Sequence, residues 1–381
     1  MNMLKFGGDA LAFGKGSLEY ISTLRCKAAL VVTSGPYAEQ SGQLKAVTDQ
    51  LDKIGAKHKC FDGVEPNPEF SSILRGAQIA MEFQPDWIIG LGGGSALDAA
   101  KAVWAVYENP ELDSLEKLKQ PGAIKVLRKK AHLLAVPTTS GTGSEMTRSV
   151  VISDTVNGVK VAVADMRMVP DVAVLCPDIT VTMPAGLTAN TGLDALTHAV
   201  EAYVSIRAND FTDALAEKAA QMILQYLPLA LAEPANLEYR EKMQNAASMA
   251  GMAFAFVGLG VTHSIAHTFG GVFHVPHGLA NAIALPYVLE YNTQNEKVAE
   301  KYRRLEELCH VDDLKDTVAA LKEQLKVPAC MQDVVPDATK YEALSSMLVA
   351  NAMVDLCLRT NPVSVDAQQM KTLMDKVYYG K

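Results

Sequence analysis

None of the six cysteines, Cys26, Cys60, Cys176, Cys309, Cys330 and Cys357, forms a CxxC or stands close to another, which argues against a thiolate metal knuckle and a disulfide scaffold. Scattered reduced thiols of this kind suit a cytoplasmic protein. There is no basic excess either: 35 Lys and Arg face 43 Asp and Glu, a formal charge of −8, and no basic stripe runs along the chain, so nucleic acid is not an expected partner. The opening Met-Asn-Met-Leu-Lys-Phe-Gly-Gly lacks the basic, apolar and small-residue succession of a secretory leader. Charge is missing altogether from Met243 to Leu289, yet Gly, Pro, Asn and His break this span too often for a membrane segment, and no membrane partner is expected. The remaining composition, 49% apolar and 20% charged, is that of a soluble globular protein. A length of 381 residues exceeds what one hydrophobic core usually organises, so two domains are expected.

Histidine is scarce, eight in all, and half of it lies in the uncharged span: His263, His267, His274 and His277. Imidazole is the commonest metal ligand, and a wall of Gly, Ala, Phe, Val and Ile would keep water from a bound ion. Upstream, Asp194 and His198 in Thr191-Gly-Leu-Asp-Ala-Leu-Thr-His are four apart, one turn of a helix on one face. Together these segments supply a carboxylate and several imidazoles, a nitrogen and oxygen donor set that suits a catalytic ion.

The first half of the chain alternates short apolar runs with helical stretches. Ala28–Thr33, Trp87–Leu91, His132–Val136 and Val172–Leu175 read as buried parallel strands, with helices over Ser71–Phe83 and Ala96–Tyr107 between them. This βαβα order implies a doubly wound, Rossmann-like α/β domain. From about Met183 the strand signals stop, and Ala189–Val204, Asp210–Leu227, Leu237–Phe256, Val298–Leu308, Leu314–Leu325 and Tyr341–Val349 suit helices. The expected division is an α/β domain over 1–183 and an all-α domain over 184–381, near Thr182-Met-Pro184.

Two polar loops follow strands. Gly92-Gly-Gly-Ser95 sits between the Trp87 run and the helix that carries Asp98 and Lys101, where glycines would let a pyrophosphate approach backbone N–H groups at a helix N-terminus. A tight turn without ligand gives the same pattern, and Ser95 replaces the third glycine of the usual dinucleotide fingerprint. Pro137-Thr-Thr-Ser-Gly-Thr-Gly-Ser-Glu145 is dense in hydroxyls, and two such loops at strand ends make a crevice.

The Gly92–Ser95 turn with Asp98 and Lys101, the Pro137–Glu145 loop, the Thr191–His198 motif and the run from His263-Ser-Ile-Ala-His267 to Pro276-His277-Gly278 occur in the order found in iron-containing (group III) alcohol dehydrogenases, and the chain resembles that family over nearly its whole length. The resemblance implies a dehydroquinate synthase-like architecture and a metal, Fe(2+) or Zn(2+), held by Asp194, His198, His263 and His277. It implies NAD(P)(H) bound by Gly93, Gly94 and Ser95 at the pyrophosphate, Thr138, Thr139, Thr142 and Thr147 along the ribose and nicotinamide side, Lys160 at a ribose, Asn67 near the adenine, and Asp98 within the same motif. His267 matches a histidine beside the substrate, either a proton relay or an orienting partner of a ligand; Phe254 and His274 are candidates for the substrate pocket, with helix packing an equal alternative for Phe254. Many NAD-dependent members carry an Asp where this chain has Ser34, so NADP(H) is expected to be accepted. A small alcohol or aldehyde is the expected substrate, and a homodimer or larger homo-oligomer the expected assembly. Two competing readings are a dehydroquinate synthase-like lyase, which would need a Lys and Arg cluster for a substrate phosphate, and a non-catalytic metal-binding protein, which would leave both polar loops without a purpose.

Overall fold

The computed structural model describes residues 4–154 and 159–381; Met1–Met3, which begin the segment tested for a leader, and residues 155–158 lie outside it. Chain contacts divide it into two units, one of residues 1–183 with 235–248, the other of 184–234 with 249–381.

The first unit is built on eight strands: β1 (Ala10–Phe13), β2 (Ala28–Val32), β3 (Lys57–Phe61), β4 (Trp87–Gly92), β5 (His132–Pro137), β6 (Ser149–Asp154), β7 (Val159–Ala164) and β8 (Val172–Leu175). Six of them form one parallel sheet in the order β1-β8-β5-β4-β2-β3, and β6 and β7 form an antiparallel hairpin. Successive side chains of a strand point to opposite faces, and both faces here are covered. Leu30, Val32, Ile88 and Leu133 pack with Ile73, Val103 and Trp104 on one side. Their neighbours Ala29, Val31, Ile89 and Leu134 pack with Leu18, Ile21, Val47 and Leu51 on the other. Alternation into two separate cores is why the central strands read as unbroken apolar runs. The edge strands escape that rule. β3, Lys-His-Lys-Cys-Phe, buries only Phe61 and gives no apolar run in the sequence, while β1, Ala-Leu-Ala-Phe, is apolar over just four residues and leaves Leu11 and Phe13 exposed. The lysines Lys57 and Lys59 along β3 also discourage pairing with other chains.

The second unit is helical. The segments that matter for the site are α1 (Ala185–Val204), α2 (Leu237–Val257), α3 (Val261–Phe273), α4 (His277–Asn292) and α5 (Ala338–Val354). α3 and α4 carry no charge until Glu290, which is why no charged face announces them; helices without a charged face are buried helices. The first half of α2 groups with the α/β unit rather than with the helical one. Its polar side chains explain this: Gln244 donates to the Pro137 carbonyl at 3.1 Å, and Ser248 donates to Glu145. No single helix among the described residues is long and apolar enough to cross a membrane; α2 and α3 pass that test only as a pair bent by 101°.

Candidate metal centre and cofactor loops

Asp194 and His198 lie in the middle of α1, a helix buried along most of its length. His263 enters from the first turn of α3, and His277 is the first residue of α4. Close packing of α4 on α1 brings them together: a Cβ on Gly278 would stand 2.5 Å from the Asn190 carbonyl oxygen, so only glycine fits there. One donor atom from each of the four side chains lies within 4.8 Å of all the others. From Asp194 Oδ1 the distances to Nε2 of His198, His263 and His277 are 3.9, 3.9 and 3.6 Å. Donors about 2.1 Å from a shared ion, at angles between tetrahedral and trigonal, stand roughly 3.4–3.6 Å apart. Three imidazoles and one carboxylate at this spacing fit a divalent cation such as iron or zinc.

Further side chains fix the donors. His263 Nδ1 lies 2.6 Å from Glu201 Oε2, and Glu201 also accepts the backbone N–H groups of Gly260 and Thr262 at 2.8 and 2.7 Å. A carboxylate only accepts, so Nδ1 carries the proton and Nε2 turns its lone pair to the cluster. Burial alone would raise Glu201; the charge and hydrogen bonds of His263, with those of Thr262 and Gly260, bring it below its ordinary value. Burial opposes the charged form of Asp194 too, but the three imidazoles and Asn281 lower it, whereas burial and its imidazole neighbours hold His277 well below its usual pKa, in the neutral form a ligand needs. Asn281, fully buried one turn after His277, donates Nδ2 to Asp194 Oδ1 at 2.7 Å and lies 3.1 and 3.2 Å from Nε2 of His263 and His277. Its Oδ1 has no hydrogen-bond partner. A carboxylate and three imidazoles gathered in a buried setting are costly unless they share a charge, which marks a site built for a cation.

His267 stacks on His277 with ring centroids 5.2 Å apart and contacts His263 edge-on at 6.0 Å. Its Nδ1 is 2.9 Å from Asp355 Oδ2. Burial would raise Asp355, but His267 and the Cys357 N–H hold it at about 2, while burial and Asp355 push the Cys357 thiol well above its usual range, so it stays protonated. Phe254 packs on His198 with centroids 4.5 Å apart. His274 is not drawn into this group. It is the exposed C-cap of α3 in a left-handed conformation, φ 58°, where the chain reverses before Pro276.

In the first unit the two polar loops face each other at the C-terminal ends of β4 and β5. Gly93 caps the helix Gly94–Glu108, and the Thr138 N–H donates to the Gly92 carbonyl at 3.0 Å. A side chain on Gly94 would meet Thr142 Cγ2 at 2.8 Å, and one on Gly93 would touch Thr139 at 3.4 Å. Ser34, just beyond β2, has its Oγ 3.9 Å from where a Gly92 side chain would begin. Asn67, at φ 62°, donates its N–H to Ser95 Oγ at 3.4 Å, and its Oδ1 accepts Lys160 Nζ at 2.7 Å. Asn67, Ser95 and Lys160, far apart in the chain, therefore form one patch. Asp98 and Thr147 do something else. Asp98 accepts Ser144 Oγ at 2.6 Å and the Val151 N–H at 2.8 Å, and buried Lys101 donates to Ser144 Oγ, Thr147 Oγ1 and the Ser149 carbonyl at 2.8, 3.1 and 3.0 Å. Burial pushes Lys101 down to about 8 against the pull of Asp98 and Glu145.

Glu201, Asn281 and Asp355 were not singled out by sequence reasoning. Glu201 stands seven residues after Asp194 and Asn281 four after His277, both on the ligand face of their helices, so helical spacing could have found them. Nothing in the sequence links Asp355 to His267.

Models of two families match the chain: iron-containing alcohol dehydrogenase over residues 9–177, and the C-terminal part of the Fe-containing alcohol dehydrogenase family over 188–378. The chain is 40% identical to an NADPH-dependent butanol dehydrogenase of Clostridium saccharobutylicum, covering 97% of this chain and 96% of that one. It is 39% identical to a 1-propanol dehydrogenase of Citrobacter freundii, covering 96% of each. An iron-containing alcohol dehydrogenase from Thermococcus thioreducens superposes with a TM-score of 0.91 over 100% of both chains, at 31% identity.

Proposed function

This chain belongs to the iron-containing alcohol dehydrogenase family and is an NAD(P)-dependent oxidoreductase of alcohols and aldehydes, and from that premise we propose that it acts on short primary alcohols and their aldehydes with Fe(II) held by Asp194, His198, His263 and His277. The observation that carries the metal assignment is the buried four-donor cluster, held in place by Glu201 and Asn281. When bound, the ion supplies Lewis acidity toward an alcohol or aldehyde oxygen, and the nicotinamide supplies or takes the hydride.

The protein's own residues do the rest. Glu201 holds His263 in the ligating tautomer, and Asn281 anchors Asp194. His267 takes the hydroxyl proton at Nε2 during oxidation and returns it during reduction. Phe254, against His198, forms an apolar wall beside the donors. In the α/β unit, Gly93, Gly94 and Ser95 receive the pyrophosphate at a helix N-terminus, with Thr138, Thr139 and Thr142 along its side and Asn67 and Lys160 at its margin. Asp98 and Thr147, with their polar atoms engaged by the protein, brace the second loop rather than touch the cofactor. His274 is left outside the pocket, at its exposed helix cap. The lyase and non-catalytic readings gain no support, since the relatives are named as dehydrogenases of simple alcohols.

NADPH use is part of this reading. Ser34 stands at the end of β2 beside the glycine turn with no carboxylate to repel a 2′-phosphate, and the butanol dehydrogenase relative is named for NADPH. Protein loaded anaerobically with Fe(II) is expected to oxidise NADPH in the presence of short aldehydes, and to lose this on chelation. No metal-dependent consumption of either cofactor with any aldehyde or alcohol would overturn the reading. Ser34→Asp is expected to shift the NADPH to NADH ratio of kcat/KM toward NADH by about tenfold or more, because a carboxylate then faces the extra phosphate. A homodimer is supported by β1, an open sheet edge whose Phe13 is 61% exposed; light scattering of the purified protein at twice the chain mass is the expected result. A cytoplasmic location is supported by six cysteines that all stay free.

A further inference from the structure

We infer that Asp355 is a positioning residue for the redox reaction: it fixes His267 as the tautomer protonated on Nδ1, which leaves Nε2 as the atom that exchanges a proton with the substrate hydroxyl. This rests on the dehydrogenase reading above. During oxidation the hydroxyl proton passes to Nε2 as the hydride leaves for NAD(P)+, so alcohol and NAD(P)+ give aldehyde, NAD(P)H and an imidazolium that later releases the proton to water.

The carboxylate is placed independently of the histidine it serves. Asp355 is the residue at which α5 ends and the short turn Leu356–Thr360 begins, and it caps that turn by accepting the Cys357 N–H with Oδ1 at 2.8 Å. The turn is itself tied down, since the Thr360 carbonyl accepts the Ile206 N–H at 3.1 Å and Thr360 Oγ1 donates to the Leu259 carbonyl. The second oxygen, Oδ2, then meets His267 Nδ1 at 2.9 Å. His267 is held from its other side by α3 and by the His277 ring, stacked at 17°. Each oxygen of Asp355 accepts from a different fixed donor. An acceptor-only group at Nδ1 makes the neutral ring protonate there.

That division of labour separates positioning from packing. Asp355→Asn keeps the size and shape of the side chain but has only one oxygen. The Cys357 N–H claims it, so the new NH2 faces Nδ1, the ring protonates on Nε2, and the acceptor for the hydroxyl proton is gone. The test uses zinc-loaded enzyme labelled with nitrogen-15 in histidine, with the His267 signals identified by their absence in His267→Gln. The wild type is expected to show Nδ1 protonated and Nε2 bare, and Asp355→Asn the reverse. Asp355→Asn should also lower kcat by about a hundredfold or more, with cofactor KM and metal content unchanged, and Asp355→Glu should recover part of the loss. A wild-type ring protonated on Nε2, an Asp355→Asn enzyme with full turnover, or a loss of turnover accompanied by lost metal would each overturn the inference. The tautomer readout needs no turnover, so a wild-type enzyme inactive on alcohols would count against the function and not against the pairing.

Discussion

His263→Ala is expected to remove the metal and to cut turnover by about a thousandfold or more while the helical unit stays folded. His263 offers Nε2 to the cluster from a fully buried position, and its far nitrogen is tied to a carboxylate. Deleting one of four donors removes a large share of the roughly 10–16 kcal/mol that such sets supply to a bound divalent ion. Glu201 loses one of its two partners at Oε2 but keeps the Gly260 N–H there and the Thr262 N–H at Oε1, so the buried carboxylate is not stranded. The cavity left by an imidazole costs on the order of 2–4 kcal/mol, which a domain of this size tolerates. Elemental analysis and NADPH consumption on the same preparation, with circular dichroism as the check on folding, read all three quantities. An apo variant with full activity would refute the metal assignment.

Lys101→Met is expected to destabilise the α/β unit by about 3–5 kcal/mol, because breaking a buried ion pair strands the remaining charge. Lys101 is wholly buried and donates to two hydroxyls and a carbonyl across the Ser144–Ser149 segment. Its removal leaves Asp98 and Glu145 buried without a cation, at sites where burial already raises both above their ordinary values. It also loosens the loop that faces Gly93 and Gly94, so cofactor KM rises with the fall in melting temperature, while metal content, set in the other unit, does not change. The paired change Asp98→Asn with Lys101→Met restores part of the stability, since the stranded carboxylate is then gone. A single variant within about 1 kcal/mol of wild type would show that the charge is not what holds the loop.

Much of this molecule is legible along the chain because its signals are local. The central strands announce themselves as apolar runs since both faces of the sheet are covered, and Asp194 with His198 shows a ligand face since helix geometry puts residues four apart on one side. The edge strand β3 and the hairpin of β6 and β7 do not, because an edge or two-stranded ribbon need not bury both faces, and β1 offers just four apolar residues. α3 and α4 escape for another reason: they carry no charge before Glu290, so no solvent-facing stripe marks their period.

The sequence by itself determined the α/β-plus-helical architecture, the motifs that carry the four clustered donor side chains and the family, each carried by spacing within one turn, one strand or one contiguous motif. Only the tertiary structure decided which side chains serve those residues. Glu201 reaches His263 across 62 residues, Asp355 reaches His267 across 88, and Lys160 reaches Asn67 across 93. It also joined Asp98 and Thr147 to the hydrogen bonds around Lys101, and set His274 at an exposed helix end. Periodicity encodes which face of its own element a residue occupies, whereas the partner on the neighbouring element is set by how the helices and strands pack, through close approaches such as that of Gly278 to Asn190.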